Sequence, residues 1–260
     1  YLKISNKDSF MTDINNLLNS IRVKGQKAYF VLLDPEKENI DYKSILSHAE
    51  ANNVDGIMLG GSSRKIELFS EFAGKIRQST GIPVILFSGS IFQIADADAM
   101  LLLTFLNSRD PRYLIQEHLE AARDIYYSDM HIISTAYILI ARSEELSIVR
   151  ETGVRPIEPS NIDEIRKYLY ASSILHYDAV YLEGGSGTDL PVDTSIIKEA
   201  RELIKQIIIV GGGISDSFSA ESIYRAGADI IVTGNAVEKR PQLIDDISRA
   251  RNRINDEIQS

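Results

Sequence analysis

Ala179-Val180-Tyr181-Leu182-Glu183-Gly184-Gly185-Ser186-Gly187-Thr188 is the stretch on which the reading of this chain turns. An apolar strand runs straight into one carboxylate and then into three glycines around a serine. Glycine has no Cβ, so consecutive backbone N–H groups can turn toward a bound anion. Ser186 adds a hydroxyl, and Glu183 stands where the strand ends, placed to act as a base on the molecule that carries the anion. A Gly-Gly-Ser-Gly run also serves as a plain flexible turn. The stretch alone does not choose between the two.

The same strand-then-glycine pattern recurs along the chain. Residues 28–33 are apolar and close with Asp34-Pro35, and residues 56–59 end in Gly60-Gly61-Ser62-Ser63. Residues 83–87 end in Ser88-Gly89-Ser90, and residues 100–105 end near Asn107-Ser108-Arg109. A longer run spans 131–140, followed by 178–182, by 206–210 ending in Gly211-Gly212-Gly213, and by 229–233 ending in Gly234-Asn235. Helical spacing separates most of them, from Ile14, Leu17, Leu18 and Ile21 in an amphipathic first helix stopped by Gly25 to residues 161–169, 219–226 and 236–239.

Near-continuous apolar strands are what a parallel sheet covered on both faces requires. Eight such units in 260 residues predict an α/β fold of the (β/α)8 TIM-barrel class. A Rossmann-like sheet is the rival, but no Gly-x-Gly-x-x-Gly follows the first strand. The glycine clusters all follow strands, which in a barrel collects them on the C-terminal face that carries catalysis. Residues 1–260 are therefore read as one domain, with 1–25 as an N-terminal helix before the first strand and 141–176, which holds Pro156 and Pro159, as an insertion in the barrel.

Composition narrows the function. A formal charge of −9 argues against a nucleic-acid binder. The absence of cysteine removes disulfides and thiolate metal sites and fits a reducing, cytoplasmic setting. No apolar run reaches the ~18–20 residues of a membrane span, and no signal peptide is visible at a chain that begins with Tyr1. The four histidines show no zinc spacing, and no Gly-x-Ser-x-Gly marks an acyl-transfer nucleophile.

What remains is a phosphate site in the loops after the last strands. Gly211-Gly212-Gly213 and Gly234-Asn235 each open onto a helical segment, where backbone donors and the helix dipole hold a phosphate dianion. Tight turns are the plain alternative for either cluster. Asp34 at the end of the first strand can hold Mg²⁺, a hard ion that shares oxygen ligands with substrate phosphates, with Ser62 as a second oxygen; capping of a following helix is the competing role. Tyr137 is read as a core or rim aromatic.

Together, Leu32-Leu33-Asp34-Pro35-Glu36-Lys37, Met58-Leu59-Gly60-Gly61-Ser62, Tyr181–Gly187, Val210-Gly211-Gly212-Gly213-Ile214 and Thr233-Gly234-Asn235 resemble the geranylgeranylglyceryl phosphate synthase family over about residues 28–235. Asn107-Ser108-Arg109 is similar to the family's pattern after strand four. The resemblance implies a TIM barrel that joins the 3-hydroxyl of sn-glycerol 1-phosphate to a prenyl diphosphate, by default the twenty-carbon one, through an ether bond in phospholipid biosynthesis. It implies Mg²⁺ on Asp34 and Ser62, and glycerol phosphate on Tyr181, Leu182, Glu183, Gly184, Gly185, Ser186, Gly187, Gly212, Gly213, Gly234 and Asn235, with Glu183 as catalytic base. A homo-oligomer, dimer or hexamer, and a transient contact with a membrane surface are implied as well. This chain has Leu32 where some members carry a lysine, which leaves Lys37 or Arg109 to offset the diphosphate charge.

Two other readings fit a phosphate-binding barrel: a phosphosugar isomerase or lyase, and a catalytically silent barrel that senses a phosphometabolite or lipid. Asp34 and Glu183 at strand ends weigh against the silent barrel, because binding a phosphate needs neither carboxylate.

Overall fold

Eight parallel strands close on themselves in chain order: β1 (Ala28–Leu33), β2 (Gly56–Leu59), β3 (Val84–Ser88), β4 (Ala99–Phe105), β5 (His131–Leu139), β6 (Ala179–Glu183), β7 (Ile207–Gly211) and β8 (Ile230–Thr233). The computed structural model describes residues 6–37, 40–61, 66–88, 90, 93–185, 187–188 and 190–260. β8 pairs with β1, with Val31 opposite Thr233, which completes the (β/α)8 TIM barrel.

The helices are α1 (Asn6–Lys24), α2 (Tyr42–Ala51), α3 (Ile66–Ser79), α4 (Glu117–Tyr126), α5 (Ser147–Thr152), α6 (Ile162–Ile174), α7 (Thr194–Leu203), α8 (Ser217–Ala226), α9 (Asn235–Lys239) and α10 (Leu243–Gln259). Side-chain caps start several of them where the sequence offers an acid or amide: Asp41 accepts from Ser44 N–H, Asn161 from Glu164 N–H and Asp216 from Ser219 N–H. The β3–β4 connection, residues 89–98, carries no α-helix among its described residues.

Strand alternation divides the apolar residues into two cores. Tyr29, Val31, Leu33, Ile57, Leu59, Val180, Leu182, Ile208, Val210 and Ile231 face the helices. Phe30, Met58, Ile85, Leu101, Ile133, Tyr181, Ile209 and Val232 fill the barrel, joined by Ile14, Leu18 and Ile21 of α1. Both faces of every strand are thus dry, which is why the strands read as unbroken apolar runs. Arg22 of α1 pairs with Asp178 just before β6 at 3.2 Å, which ties that helix to the N-terminal strand ends. At the same end, buried Arg251 of α10 pairs with Asp55 and donates to Asn53 O at 2.9 Å, an arrangement that serves stability at the face away from catalysis.

At the opposite end, register builds an aromatic row. Phe105 lies beside Tyr137, and Tyr137 beside Tyr181, so three consecutive strands present rings at one level. Tyr137 stacks on Tyr181 at 5.5 Å and 15°, and Phe105 meets Tyr137 at 4.7 Å. A short π-helix, Arg112–Gln116, brings Tyr113 edge-on to Phe105 at 5.8 Å. Residues 141–161 fold back over this end, whereas the rest of the stretch 141–176 read as an insertion is α6, the barrel's own helix between β5 and β6. Asn107 pins them: its buried amide donates to Leu139 O (3.0 Å) and Arg155 O (2.6 Å) and accepts from Leu139 N–H (3.3 Å). Ser108 pairs with Val154 in an antiparallel bridge, and its hydroxyl donates to Thr152 O at 2.7 Å.

Candidate active site

One cavity of about 380 Å³ opens at the C-terminal ends of the strands. Asp34, Tyr181, Glu183, Gly187, Gly212, Gly213, Gly234 and Asn235 line it together. The loops after β1, β6, β7 and β8 therefore converge, as a barrel with its glycine clusters after the strands demands.

Glu183 is the last residue of β6 and lies beside Gly211 in register, which carries its side chain to the start of the β7 loop. The carboxylate is 7% exposed and accepts the Gly185 N–H at 2.7 Å. Burial pushes its pKa up to about 7, against the opposing pull of that hydrogen bond. Gly212 has φ +82°, and a Cβ there would run into Glu183 Oε1. Only glycine lets the loop take this left-handed turn so close to the acid.

Asp34 follows β1 directly and is half-buried, with Oδ1 accepting the Glu36 N–H at 3.0 Å. Its pKa stands above the ordinary carboxylate value, first through burial, against the pull of the Glu36 N–H and the Lys37 charge. Gly61, at the end of β2, leaves room for it, since a Cβ there would meet Asp34 Oδ1. The buried Gln93 amide donates to Gly61 O and joins the same wall.

The two sides of the cavity differ in chemistry. Toward β6, β7 and β8 it is rich in glycine and polar or charged residues, among them Glu183, Thr188, Ser215, Asn235, Glu238 and Lys239. Toward β3, β4 and β5 it is largely apolar, with Phe87, Leu103, Phe105, Tyr113, Tyr137 and, from α5, Ile148, beside the polar Ser90, Gln93, Glu151 and Thr152. Burial, and after it the Glu183 charge, holds the Tyr137 and Tyr181 hydroxyls well above their usual pKa, so both stay neutral. A largely apolar wall thus abuts a glycine-rich one, with Glu183 near the boundary.

Comparison with known proteins meets this geometry. The model of the PcrB family matches residues 21–251. The chain belongs to the PcrB family. It is 33% identical over 243 residues to the geranylgeranylglyceryl phosphate synthase of Flavobacterium johnsoniae, covering 92% of this chain and 99% of that one. It is 34% identical over 240 residues to the enzyme of the same name from Caldivirga maquilingensis, covering 90% and 89%. Among solved structures, (S)-3-O-geranylgeranylglyceryl phosphate synthase from Thermoplasma acidophilum, in complex with substrate sn-glycerol-1-phosphate, superposes with a TM-score of 0.84 at 26% identity, over 94% of this chain and 98% of that one.

Several residues of this PcrB-family chain stand elsewhere than their motif suggests. Leu182 packs outward in the helix-facing core, and Gly184 and Gly185 shape the loop behind the cavity wall, Gly185 through its bond to Glu183. Ser62 and Ser186 lie outside the described residues. Arg109 is exposed and is not part of the cavity lining; its N–H donates to Gly153 O at 3.3 Å. Lys37 does line the cavity, but it pairs with Glu238 at 2.5 Å and donates to Asn235 Oδ1. Tyr137 belongs to the wall itself.

Sequence reading missed Glu238 and Lys239, which also line the cavity. The available signal was spacing: Glu238 lies three residues after Asn235 on α9, hence on the same helical face. The histidines are structural or peripheral, as expected. His48 bonds Asp245 at 2.8 Å, His118 bonds Leu103 O at 2.8 Å, and no histidine is part of the lining.

Proposed function

We propose that this chain transfers a prenyl group from a prenyl diphosphate to the 3-hydroxyl of sn-glycerol 1-phosphate, forming an ether, in ether phospholipid biosynthesis. The observation that carries the reading is that a buried acid with a pKa of about 7 sits between a glycine-lined cradle and an aromatic trough in one cavity. The named relatives and the glycerol-phosphate complex of the structural neighbour support the same substrates. The isomerase reading needs no apolar trough, and the silent-barrel reading needs no buried base beside one.

In this reading the backbone N–H groups of Gly187, Gly212, Gly213, Gly234 and Asn235 hold the phosphate, a task suited to glycine-rich turns. That grip aims the 3-hydroxyl at C1 of the prenyl chain and trades binding energy for orientation. The oxygen of that hydroxyl forms the new C–O bond, the bond from C1 to the diphosphate breaks, and Glu183 takes the hydroxyl proton. A base with a pKa near 7 is half-ionised at neutral pH and ready for that transfer. Phe87, Leu103, Phe105 and Ile148 exclude water from the reacting carbon and accommodate the start of the tail.

Mg²⁺ is part of the proposal, and the residues fit it. Among the described residues lining the cavity, four are acids (Asp34, Glu151, Glu183 and Glu238) and two are lysines (Lys37 and Lys239). Two polyanionic substrates bound there call for an added cation. Among the described residues no group of three or more His, Cys, Asp or Glu forms a closed metal cage. A single carboxylate such as Asp34 suits Mg²⁺, which takes one or two carboxylates and completes its shell with substrate phosphates and water; Ser62 is the second proposed ligand. When bound, the ion supplies Lewis-acid stabilisation of the departing diphosphate.

A homo-oligomer, dimer or hexamer, and a passing contact with a membrane surface to collect the lipid-tailed substrate complete the reading. No helix among the described residues is long and apolar enough to cross a membrane. The test is diphosphate release by purified protein with geranylgeranyl diphosphate and Mg²⁺. Release that depends on sn-glycerol 1-phosphate and not on its mirror isomer supports the function; release indifferent to either rejects it.

A further inference from the structure

We infer that Glu238 and Lys37 are positioning residues that fix the side-chain amide of Asn235 with its NH₂ group facing the phosphate cradle. This rests on the functional reading above and names how one of its contacts is set.

Lys37, in the loop after β1, reaches α9 and donates to Asn235 Oδ1 and to Glu238 Oε2, the latter at 2.5 Å. An ammonium only donates, so the atom of Asn235 that faces it must be the oxygen. The NH₂ group is then directed the other way. Asn235 Nδ2 lies 3.6 Å from the point a Cβ on Gly187 would occupy, at the rim of the loop after β6. Gly187, Gly212, Gly213 and Asn235 line the same cavity. The orientation therefore turns an ambivalent amide into a donor aimed where an anion binds.

Glu238 holds the arrangement together. Its side chain is 10% exposed, and its second oxygen, Oε1, is buried without a hydrogen-bond partner among the described residues. A buried carboxylate paired on one side only is costly. The ion pair does explain it. It offsets the Lys37 charge and restrains that long, flexible side chain against Asn235. Lys37 then acts as a fixed donor to Asn235 and not as the free counter-charge for the diphosphate.

The test is a double-mutant cycle on sn-glycerol 1-phosphate affinity, read by calorimetry without prenyl substrate. Asn235→Ala and Glu238→Ala are each expected to weaken binding about tenfold, the order expected for one charge-assisted hydrogen bond. In the Asn235→Ala background, Glu238→Ala should add less than about twofold, because the amide it orients is gone. Glu238→Gln, which can still accept from Lys37, should recover most of the affinity. If Glu238→Ala fails to fold, Lys37→Met takes its place in the cycle, with the same non-additivity expected. Additive losses, or near-normal affinity in Glu238→Ala, overturn this inference alone. Wild-type protein that takes up no glycerol 1-phosphate overturns the functional reading and this inference with it.

Discussion

Replacing Glu183 by glutamine should damage catalysis and stabilise the fold at the same time, and the stabilisation should depend on pH. The carboxyl titrates at 4.5 in an ordinary setting and at about 7 here, because burial disfavours its charged form. In the unfolded chain it ionises from about pH 4.5 upward; in the native protein it keeps its proton until about pH 7. Across that window the native state binds more protons, so its stability falls as pH rises. At roughly 1.36 kcal/mol per tenfold the full loss is about 3 kcal/mol, reached near pH 8. Glutamine cannot ionise, yet it still accepts the Gly185 N–H. Glu183→Gln should therefore match wild type in urea unfolding near pH 4.5 and exceed it by about 3 kcal/mol near pH 8. Turnover should drop about 10²–10⁴-fold, the usual worth of a general base, while glycerol 1-phosphate affinity stays within a few-fold. A variant no more stable than wild type at pH 8, or one with near-normal turnover, would refute the reasoning that joins burial to base strength.

The same acid sets the pH profile: kcat/KM for glycerol 1-phosphate should climb through about pH 7 to a plateau, and a flat profile from about pH 5.5 to 8.5 would contradict it. Gly212→Ala puts a Cβ against Glu183 Oε1 at φ +82°; it should cost about 1–3 kcal/mol in thermal or urea unfolding and abolish measurable glycerol phosphate binding. Asp34→Asn should raise the Mg²⁺ concentration needed for half-maximal rate and weaken prenyl diphosphate use, leaving glycerol 1-phosphate affinity nearly unchanged by calorimetry. Asn107→Ala removes three hydrogen bonds from a buried site and should cost roughly 2–4 kcal/mol, with KM for the prenyl diphosphate rising more than that for glycerol 1-phosphate.

The barrel was legible because parallel strands with both faces dry leave apolar runs that nothing else in a chain of this composition explains. Boundaries moved only slightly, but one shift mattered. The sixth strand was read as 178–182 and runs Ala179–Glu183, so Glu183 is held in register with Gly211 and is not loose in the loop. The gathering of the glycine loops at one mouth was legible too, since glycines that follow the strands of a parallel barrel collect at its C-terminal face. Helix α5 was not. Six residues give too little periodicity, and Asn107 and Ser108 hold its C-terminal end from 44 to 48 positions away. Those side chains looked like part of a loop motif, and their work as a clamp exists only in three dimensions. Arg109 illustrates the opposite limit: its charge was visible, but its place outside the cavity lining was not. Glu238 offered only its three-residue spacing from Asn235 on a five-residue helix, and its partner Lys37 comes from the other end of the chain.

The position of bound glycerol 1-phosphate is the most direct test. A crystal structure of the protein soaked with it should place the phosphate against Gly212, Gly213, Gly234 and Asn235. Its 3-hydroxyl oxygen should then lie within about 2.6–3.2 Å of a Glu183 carboxylate oxygen and face the Phe87–Phe105 side of the cavity. Phosphate held at another face of the barrel, or a 3-hydroxyl turned away from Glu183 with no bridging water, would contradict it.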